Sequence, residues 1–336
     1  MSTIQTTITT EQEGNGFYIA QFKTAHLAIF SYYVESDKSA FIIDPTFDTR
    51  VYEDFLVKRG AKLEYILLTH YHADFISGHT QFKVPIVMGE TAQRNINGFK
   101  INEMKDGDSF AMGSINIAVL HTPGHTPESS CYLLQDAEKK NVALFSGDTV
   151  FIGDVGRPDL AVSTNITRED LAGMLFDSVQ KLKKLDPEIR LYPAHGSGSA
   201  CGKAIGSGNF CTLGVQGEKN YGFLIKERED FIKKLTEGIS QPPNYFFHDA
   251  KTNQVGPTHH DEEFKKAYVP LSIEQFKNAS EKAVVIDTRM NPEGGIIKGT
   301  FWLHMNGPLC NWVSMLAKSE DPLLVITEED KGVEII

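Results

Sequence analysis

The sequence predicts an α/β protein whose strands run out into loops bearing histidine and aspartate, followed by a second, smaller α/β unit. Three observations carry this. Short apolar runs of strand length recur, with helix-period segments between them. Four of those runs end in a chemically equipped loop: Tyr65-Ile66-Leu67-Leu68 before Thr69-His70-Tyr71-His72-Ala73-Asp74-Phe75, residues 115–120 before His121-Thr122-Pro123-Gly124-His125, residues 142–145 before Ser146-Gly147-Asp148, and Ile189-Arg190-Leu191 before Tyr192-Pro193-Ala194-His195-Gly196. Past Gln241-Pro242-Pro243 the chain turns polar, and a strand-helix-strand pattern then resumes.

Taken in order, residues 1–15 read as a frayed polar start. Residues 17–34 and 40–43 are rich in aromatic and β-branched side chains and read as strands, ended by Asp44-Pro45. Residues 48–60 read as a helix with Val51, Phe55 and Leu56 on one face and Gly60 as its stop. Strands follow at 65–68, 85–88 and 115–120. Thr167 and Asp170 stand at capping spacing before a helix that carries Leu171, Met174, Leu175, Leu182 and Leu185, with Pro187 beyond it. Gly196, Gly198, Gly202, Gly206, Gly208 and Gly214 make 196–214 an irregular loop with close backbone approaches. Residues 221–236 read as one further helix.

The expected division is a first domain at 1–245, a polar linker at 246–268 and a last domain at 269–336. His259 and His260, beside Asp261-Glu262-Glu263, read as a solvated charge cluster. In the last domain Ala283-Val284-Val285-Ile286-Asp287-Thr288-Arg289 is a strand with its turn, and Leu323-Leu324-Val325-Ile326 a second strand.

The chain of 336 residues has a net charge of −11 and 41% hydrophobic residues. An acidic surface argues against a nucleic-acid partner, because phosphate binding needs clustered cations. No apolar run reaches membrane-spanning length, so no membrane partner is expected. The N-terminus lacks the basic and apolar regions of a signal peptide. Cys131, Cys201, Cys211 and Cys310 are few and scattered, which fits a reducing cytoplasm.

Neutral imidazoles and carboxylates are ligands for zinc and ferrous iron. A lone His-x-His-x-Asp arises by chance, but four such loops in one domain point to a metal site. The order and spacing of Thr-His-Tyr-His-Ala-Asp (69–74), His-Thr-Pro-Gly-His-Thr-Pro-Glu-Ser (121–129), Phe-Ser-Gly-Asp (145–148), Gly-Asp-Val-Gly-Arg-Pro-Asp-Leu (153–160) and Pro-Ala-His-Gly-Ser-Gly-Ser-Ala-Cys-Gly-Lys (193–203) resemble the metallo-β-lactamase superfamily. Within it the match is to the persulfide dioxygenases fused to rhodanese-like domains. The resemblance covers roughly the first 250 residues, and its last two motifs are the specific ones.

That resemblance implies an αββα sandwich followed by a partial rhodanese-like domain. It implies one Fe(II) per chain, held by His70, His125 and Asp148, with His72, Asp74 and His195 orienting and tuning those ligands. His72 as a direct ligand stays open. Dinuclear relatives carry a further His where this chain has Phe75, which points to a single metal. The implied substrates are O2 and a small-molecule thiol persulfide, of glutathione or coenzyme A type, giving thiol and sulfite. A homo-oligomer, dimer or tetramer, is expected. Tyr192 matches a tyrosine near the iron, and Arg157 an arginine that contacts the substrate. An ion pair of Arg157 with Asp154 or Asp159 is the competing reading. Lys203 would add a charge for an acidic thiol, and Cys201 is either a reactive thiol near the site or a small packing residue. The competing activity is a thioester hydrolase of the glyoxalase II type. In the last domain, Thr327-Glu328-Glu329-Asp330-Lys331-Gly332 stands where a working rhodanese needs its nucleophilic Cys. No sulfur transfer is expected there, because Thr327 cannot carry a persulfide and the acids oppose a thiolate. The segment is short for that fold, so a longer natural chain is expected.

Overall fold

The side chains of the strand at 39–43 alternate between two cores: Phe41 and Ile43 enter one, Ala40 and Ile42 the other, and all four are buried. A strand buried on both faces sits inside a layered fold. The computed structural model describes residues 6–24, 27–90, 99–304, 309–318 and 320–328.

The first sheet has seven strands paired in chain order. They are β1 (Thr6–Gly14), β2 (Phe17–Thr24), β3 (Ile29–Ser36), β4 (Ser39–Ile43), β5 (Lys62–Leu68), β6 (Ile86–Gly89) and β7 (Ile101–Met104). Strands β1 to β4 pair antiparallel, and β4 to β7 pair parallel. The parallel crossing from β4 to β5 is made by α1 (Arg50–Arg59), which buries Tyr52 and Phe55 on the outer face of the sheet. Gly60 ends α1 at φ +61, the left-handed conformation that costs glycine least.

The second sheet holds β8 (Ser109–Met112), β9 (Ile115–His121), β10 (Ser130–Gln135) and β11 (Asn141–Gly147). After the short hairpin β12 (Val150–Phe151) and β13 (Asp154–Val155), it gains β14 (Arg190–Pro193) and β15 (Cys211–Thr212). The order is β15-β14-β11-β10-β9-β8. Its inner face, with Ile117, Val119, Tyr132, Leu134, Phe145 and Tyr192, packs on Phe17, Ile19, Tyr32, Val34, Phe41 and Ile43 of the first sheet. Its outer face is covered by α2 (Arg168–Leu182) and, after α3 (Leu213–Lys219) and α4 (Tyr221–Leu224), by α5 (Arg228–Thr236). The layers are therefore helix, sheet, sheet, helix, as expected.

The predicted cap of α2 is present. Thr167 Oγ1 accepts from the Asp170 amide at 3.0 Å, and Asp170 Oδ2 accepts from the Thr167 amide at 2.9 Å. Thr167→Ala is expected to lower the melting temperature by roughly 2–4 °C, measured by circular dichroism with metal content unchanged.

Three local expectations give way. The start of the chain is not frayed over its whole length, because Thr6–Gly14 forms an edge strand on β2. Its Thr and Ile side chains suit an extended backbone better than their polarity suggests. The helix at 221–236 is broken, with Ile225 and Glu227 extended between α4 and α5. That break lets Phe223 and Phe231 enter the same core. The stretch expected as a linker carries α6 (Tyr245–Val255) and α7 (His260–Ala267). Helix α6 is seated by Phe246 and Asn253, each 1% exposed, so polar composition concealed a packed helix. His260 is not free in solvent either: its ring lies 5.4 Å from that of Phe47.

Beyond α8 (Ile273–Ser280) lies a sheet of β16 (Val284–Asp287), β17 (Phe301–Trp302) and, after α9 (Leu309–Leu316), β18 (Leu323–Ile326). Its order is β17-β16-β18, with both pairings parallel. This is a small α/β unit. Thr327 follows β18 directly, while residues 329–332 of the expected loop lie outside the described residues.

Candidate metal centre

The first donor leaves the end of β5. Asp44 takes the Thr69 amide on Oδ1 at 2.9 Å and the Thr69 hydroxyl on Oδ2 at 2.7 Å. With its proton committed to Asp44, Thr69 Oγ1 accepts Nδ1–H of His70 at 2.9 Å. The chain Asp44–Thr69–His70 thus leaves Nε2 of His70 as the basic nitrogen, the usual arrangement behind a metal-bound imidazole. Asp44 adopts φ +50, an uncommon conformation for a non-glycine residue, here held by the two hydrogen bonds its carboxylate takes from Thr69.

His125, in the loop after β9, donates Nδ1–H to the carbonyl of Arg157 at 2.9 Å. Its Nε2 stands 3.4 Å from Asp148 Oδ2, and Nε2 of His70 stands 3.8 Å from the same oxygen. Asp148 reaches this point on a turn that needs Gly147. Its φ is +53, and a Cβ there would lie 2.6 Å from Thr69 Cβ. One ligand atom each from His70, His125 and Asp148 lie within 4.8 Å of one another, and all three residues are buried.

A second group adjoins the first. His72, Asp74 and His195 also bring ligand atoms within 4.8 Å, and Cys201 does so with Asp148 and His195. His195 Nε2 lies 3.3 Å from Asp148 Oδ1 and 3.4 Å from Asp74 Oδ2. Its loop is tied to β3 by Phe30 N–H donating to Ala194 O at 2.7 Å and Gly196 N–H donating to Ala28 O at 2.9 Å. His72 Nε2 lies 3.2 Å from Asp44 Oδ1. The Phe75 ring packs on His72, centroids 4.3 Å apart.

Electrostatics prepare the donors. Burial and the neighbouring His72 push His70 well below the usual histidine range, so it is neutral and able to bind a cation. Burial alone would push Asp148 up, but His195, His70 and His125 hold its carboxyl well below the usual range. Burial opposes a charge on His195, yet Asp148 and Asp74 hold it well above its ordinary value. The Nε2 of His70, both nitrogens of His72 and His195, both oxygens of Asp148 and Oδ1 of Asp74 are buried without a hydrogen-bond partner. Buried polar atoms are rarely left so. Converging lone pairs around one point fit a metal ion.

The structure therefore gathers His70, His72, Asp74, His125, Asp148, His195 and Cys201. It does not bring Tyr192, Lys203 or the Arg157 guanidinium there as free groups. Tyr192 stands in the core between the sheets, its ring stacked on Phe145 at 5.5 Å and its hydroxyl donating to Gln12. The strand alternation that puts Tyr192 inward decides this. Lys203 donates to the carbonyls of Lys234 and Glu237 at the end of α5, where a cation suits the free carbonyls.

Arg157 is locked. Nε and Nη2 grip Asp159 at 2.7 and 2.8 Å, Nη1 donates to Ala200 O at 3.1 Å, and Nη2 also donates to Ser240 O at 2.6 Å. The ion-pair reading of this residue holds, with Asp159 as the partner. Its backbone carbonyl, not its charge, serves the site through His125. Arg157→Ala leaves Asp159 unpaired in a largely buried place, a loss of about 3–5 kcal/mol. A fall in both melting temperature and metal content is expected, read by calorimetry and metal analysis. Metal retained at unchanged stability would contradict it.

Sequence reasoning missed Asp44, Asn253 and Asp249. Only the Asp-Pro step at the end of β4 marked Asp44. Asp249, on α6, has its carboxyl raised to about 7 by burial and by the charge of Asp74. Nothing in the local sequence marks either α6 residue.

The Metallo-beta-lactamase superfamily profile matches residues 26–195, half of the chain. The chain belongs to the metallo-beta-lactamase superfamily. A hydroxyacylglutathione hydrolase of Francisella tularensis subsp. novicida is 33% identical over 171 residues, which span 48% of this chain and 61% of the relative. A crystal structure titled metallo-beta-lactamase, from Staphylococcus aureus subsp. aureus COL, superposes with a TM-score of 0.82 at 29% identity, covering 93% of this chain and 92% of its own. The crystal structure of ETHE1 from Myxococcus xanthus superposes at 0.59 with 22% identity, covering 70% and 97%, and shares the fold. No helix among the described residues is long and apolar enough to cross a membrane.

Proposed function

We propose that this superfamily member oxidises a low-molecular-weight thiol persulfide with O2 at one ferrous iron per chain. The observation that carries the reading is the convergence of two imidazoles and one carboxylate, His70, His125 and Asp148, with the apolar Phe75 ring packed on His72 beside them. Two histidines and a carboxylate on one face, with several positions left open, suit non-haem iron. The balance is RSSH + O2 + H2O → RSH + H2SO3. Iron, held by His70, His125 and Asp148, would supply the redox chemistry.

The chain's own part is orientation and charge. Thr69 and the Arg157 carbonyl hold the ligand rings with Nε2 inward. His195, whose Nε2 lies 3.3 Å from Asp148 and 3.4 Å from Asp74, orients both carboxylates at the edge of the site. The Cys201 thiol, buried beside Asp148 and His195, is pushed up by burial, Asp74 and Asp148. Glutathione and coenzyme A persulfides are the substrates to try first.

A second reading has its own support. His72, Asp74 and His195 form a further donor group, and the sequence relative named above is a hydroxyacylglutathione hydrolase by name. Metal analysis with O2-uptake assays on glutathione persulfide, set against hydrolysis of an acylglutathione, separates the two. One iron and persulfide-dependent O2 uptake are expected. Two zincs with thioester hydrolysis and no O2 uptake would replace the proposal.

A further inference from the structure

We infer that Asn253, on a helix beyond the matched superfamily region, is a positioning residue that sets the shape of the metal loop. Its side chain is 1% exposed and makes three hydrogen bonds to that loop. The two Nδ2 hydrogens go to the carbonyls of His72 and Phe75, each at 2.8 Å, and Oδ1 accepts the Ser77 amide at 2.8 Å.

These anchors matter because of where they fall. The His72 and Phe75 carbonyls bracket Ala73-Asp74, and the Ser77 amide closes the same turn. One carboxamide therefore dictates the path that aims Asp74 at His195 and keeps His70 and His72 side by side, their ring centroids 4.1 Å apart. The loop's other backbone ties lie at its far end, where Ser77 bridges Thr46 and Gly78 N–H donates to Pro45 O at 2.9 Å, so residues 72–75 rest on Asn253. Helix α6 is held in turn by Phe246, which packs with Ala73, Phe151 and Cys201. Phe246 and Asn253 are seven residues apart, two helical turns, and so share the face turned to the loop. Further ties run along the same seam, including Thr80 Oγ1 donating to Pro257 O at 3.3 Å and the His260 amide donating to Gln81 Oε1 at 3.2 Å. The centre thus depends on a segment 181 residues away from His72 in the chain.

This inference rests on the metal centre proposed above but not on the reaction assigned to it. The test uses the whole chain, stripped of metal and loaded with Co(II), whose visible bands report ligand geometry. Asn253→Ala is compared with wild type and with Leu235→Ala, a change at a buried α5 residue in the core between that helix and the second sheet. Changes in groups that orient metal ligands cost roughly 10–100-fold in affinity. Asn253→Ala is expected to lose Co(II) to a competing chelator with an affinity lower by that factor, and to shift the visible bands. Leu235→Ala should keep both even when its melting temperature falls as far. Unchanged bands and affinity in Asn253→Ala would overturn the inference, as would equal metal loss in Leu235→Ala. Should Asn253→Ala fail to fold, Asn253→Asp, which keeps an acceptor for Ser77 and loses both donors, is read in the same way. Absence of O2 uptake in the wild type would remove the dioxygenase reading and leave this comparison standing.

Discussion

Asp148→Ala is expected to yield a folded protein that holds essentially no metal and shows no persulfide-dependent O2 uptake. Among the described residues, Asp148 is the carboxylate that faces His70, His125 and His195 together. Removing it takes away the only anionic donor of the first group and leaves two neutral imidazoles. Changes one step removed from a metal cost roughly 10–100-fold in affinity, so loss of a direct ligand should exceed that. Asp148→Asn tests whether shape alone suffices: it keeps the volume and removes the charge, and it too should fail to retain iron. The measurement is metal quantitation after gel filtration, with circular dichroism to confirm folding. Full metal content in Asp148→Ala would assign the ion to His72, Asp74 and His195 instead.

Gly156→Ala should damage the site without touching any donor atom. A Cβ at Gly156 would lie 2.0 Å from the Asp148 carbonyl oxygen, 3.0 Å from Nδ1 of His125 and 3.1 Å from its Cβ. Backbone cannot yield as the tip of a flexible side chain can. Either the Asp148 turn moves or the loop carrying the Arg157 carbonyl withdraws from His125, and both disturb two ligands at once. Overpacking of this kind costs about 1–3 kcal/mol. A lower melting temperature is expected together with a loss of metal larger than that of Thr167→Ala, a change of similar thermal effect far from the site. Normal iron content in Gly156→Ala would show that the ligand geometry tolerates a shift of this size.

Much of the fold was open to a reading of the chain. Alternation at 115–120, the Gly60 stop and the Thr167–Asp170 cap are local signals, written within a few residues and obeyed as such. The ligand loops were legible for the same reason: each follows its own strand within one short segment. Two errors have a common cause. Thr6–Gly14 and α6 are polar by composition, and each is built because a partner distant in sequence supplies the contacts, β2 for one and the metal loop for the other.

The sequence by itself determined that this is a layered α/β protein with His and Asp at four strand ends, because periodicity and turn chemistry are properties of neighbours. Only the tertiary structure decided which residue types became donors and which became scaffold. Tyr192 and His195 lie on one short segment, yet strand alternation sends the first into the core and the loop turns the second to Asp148. Arg157 looked like a group for substrate and proved to be the holder of Asp159, with its carbonyl, not its charge, turned to His125. Asn253 carried no motif at all, and Asp44 only an Asp-Pro step. Their roles arise because buried amides and carbonyls must find partners, and which partner is within reach is known only once the chain has folded.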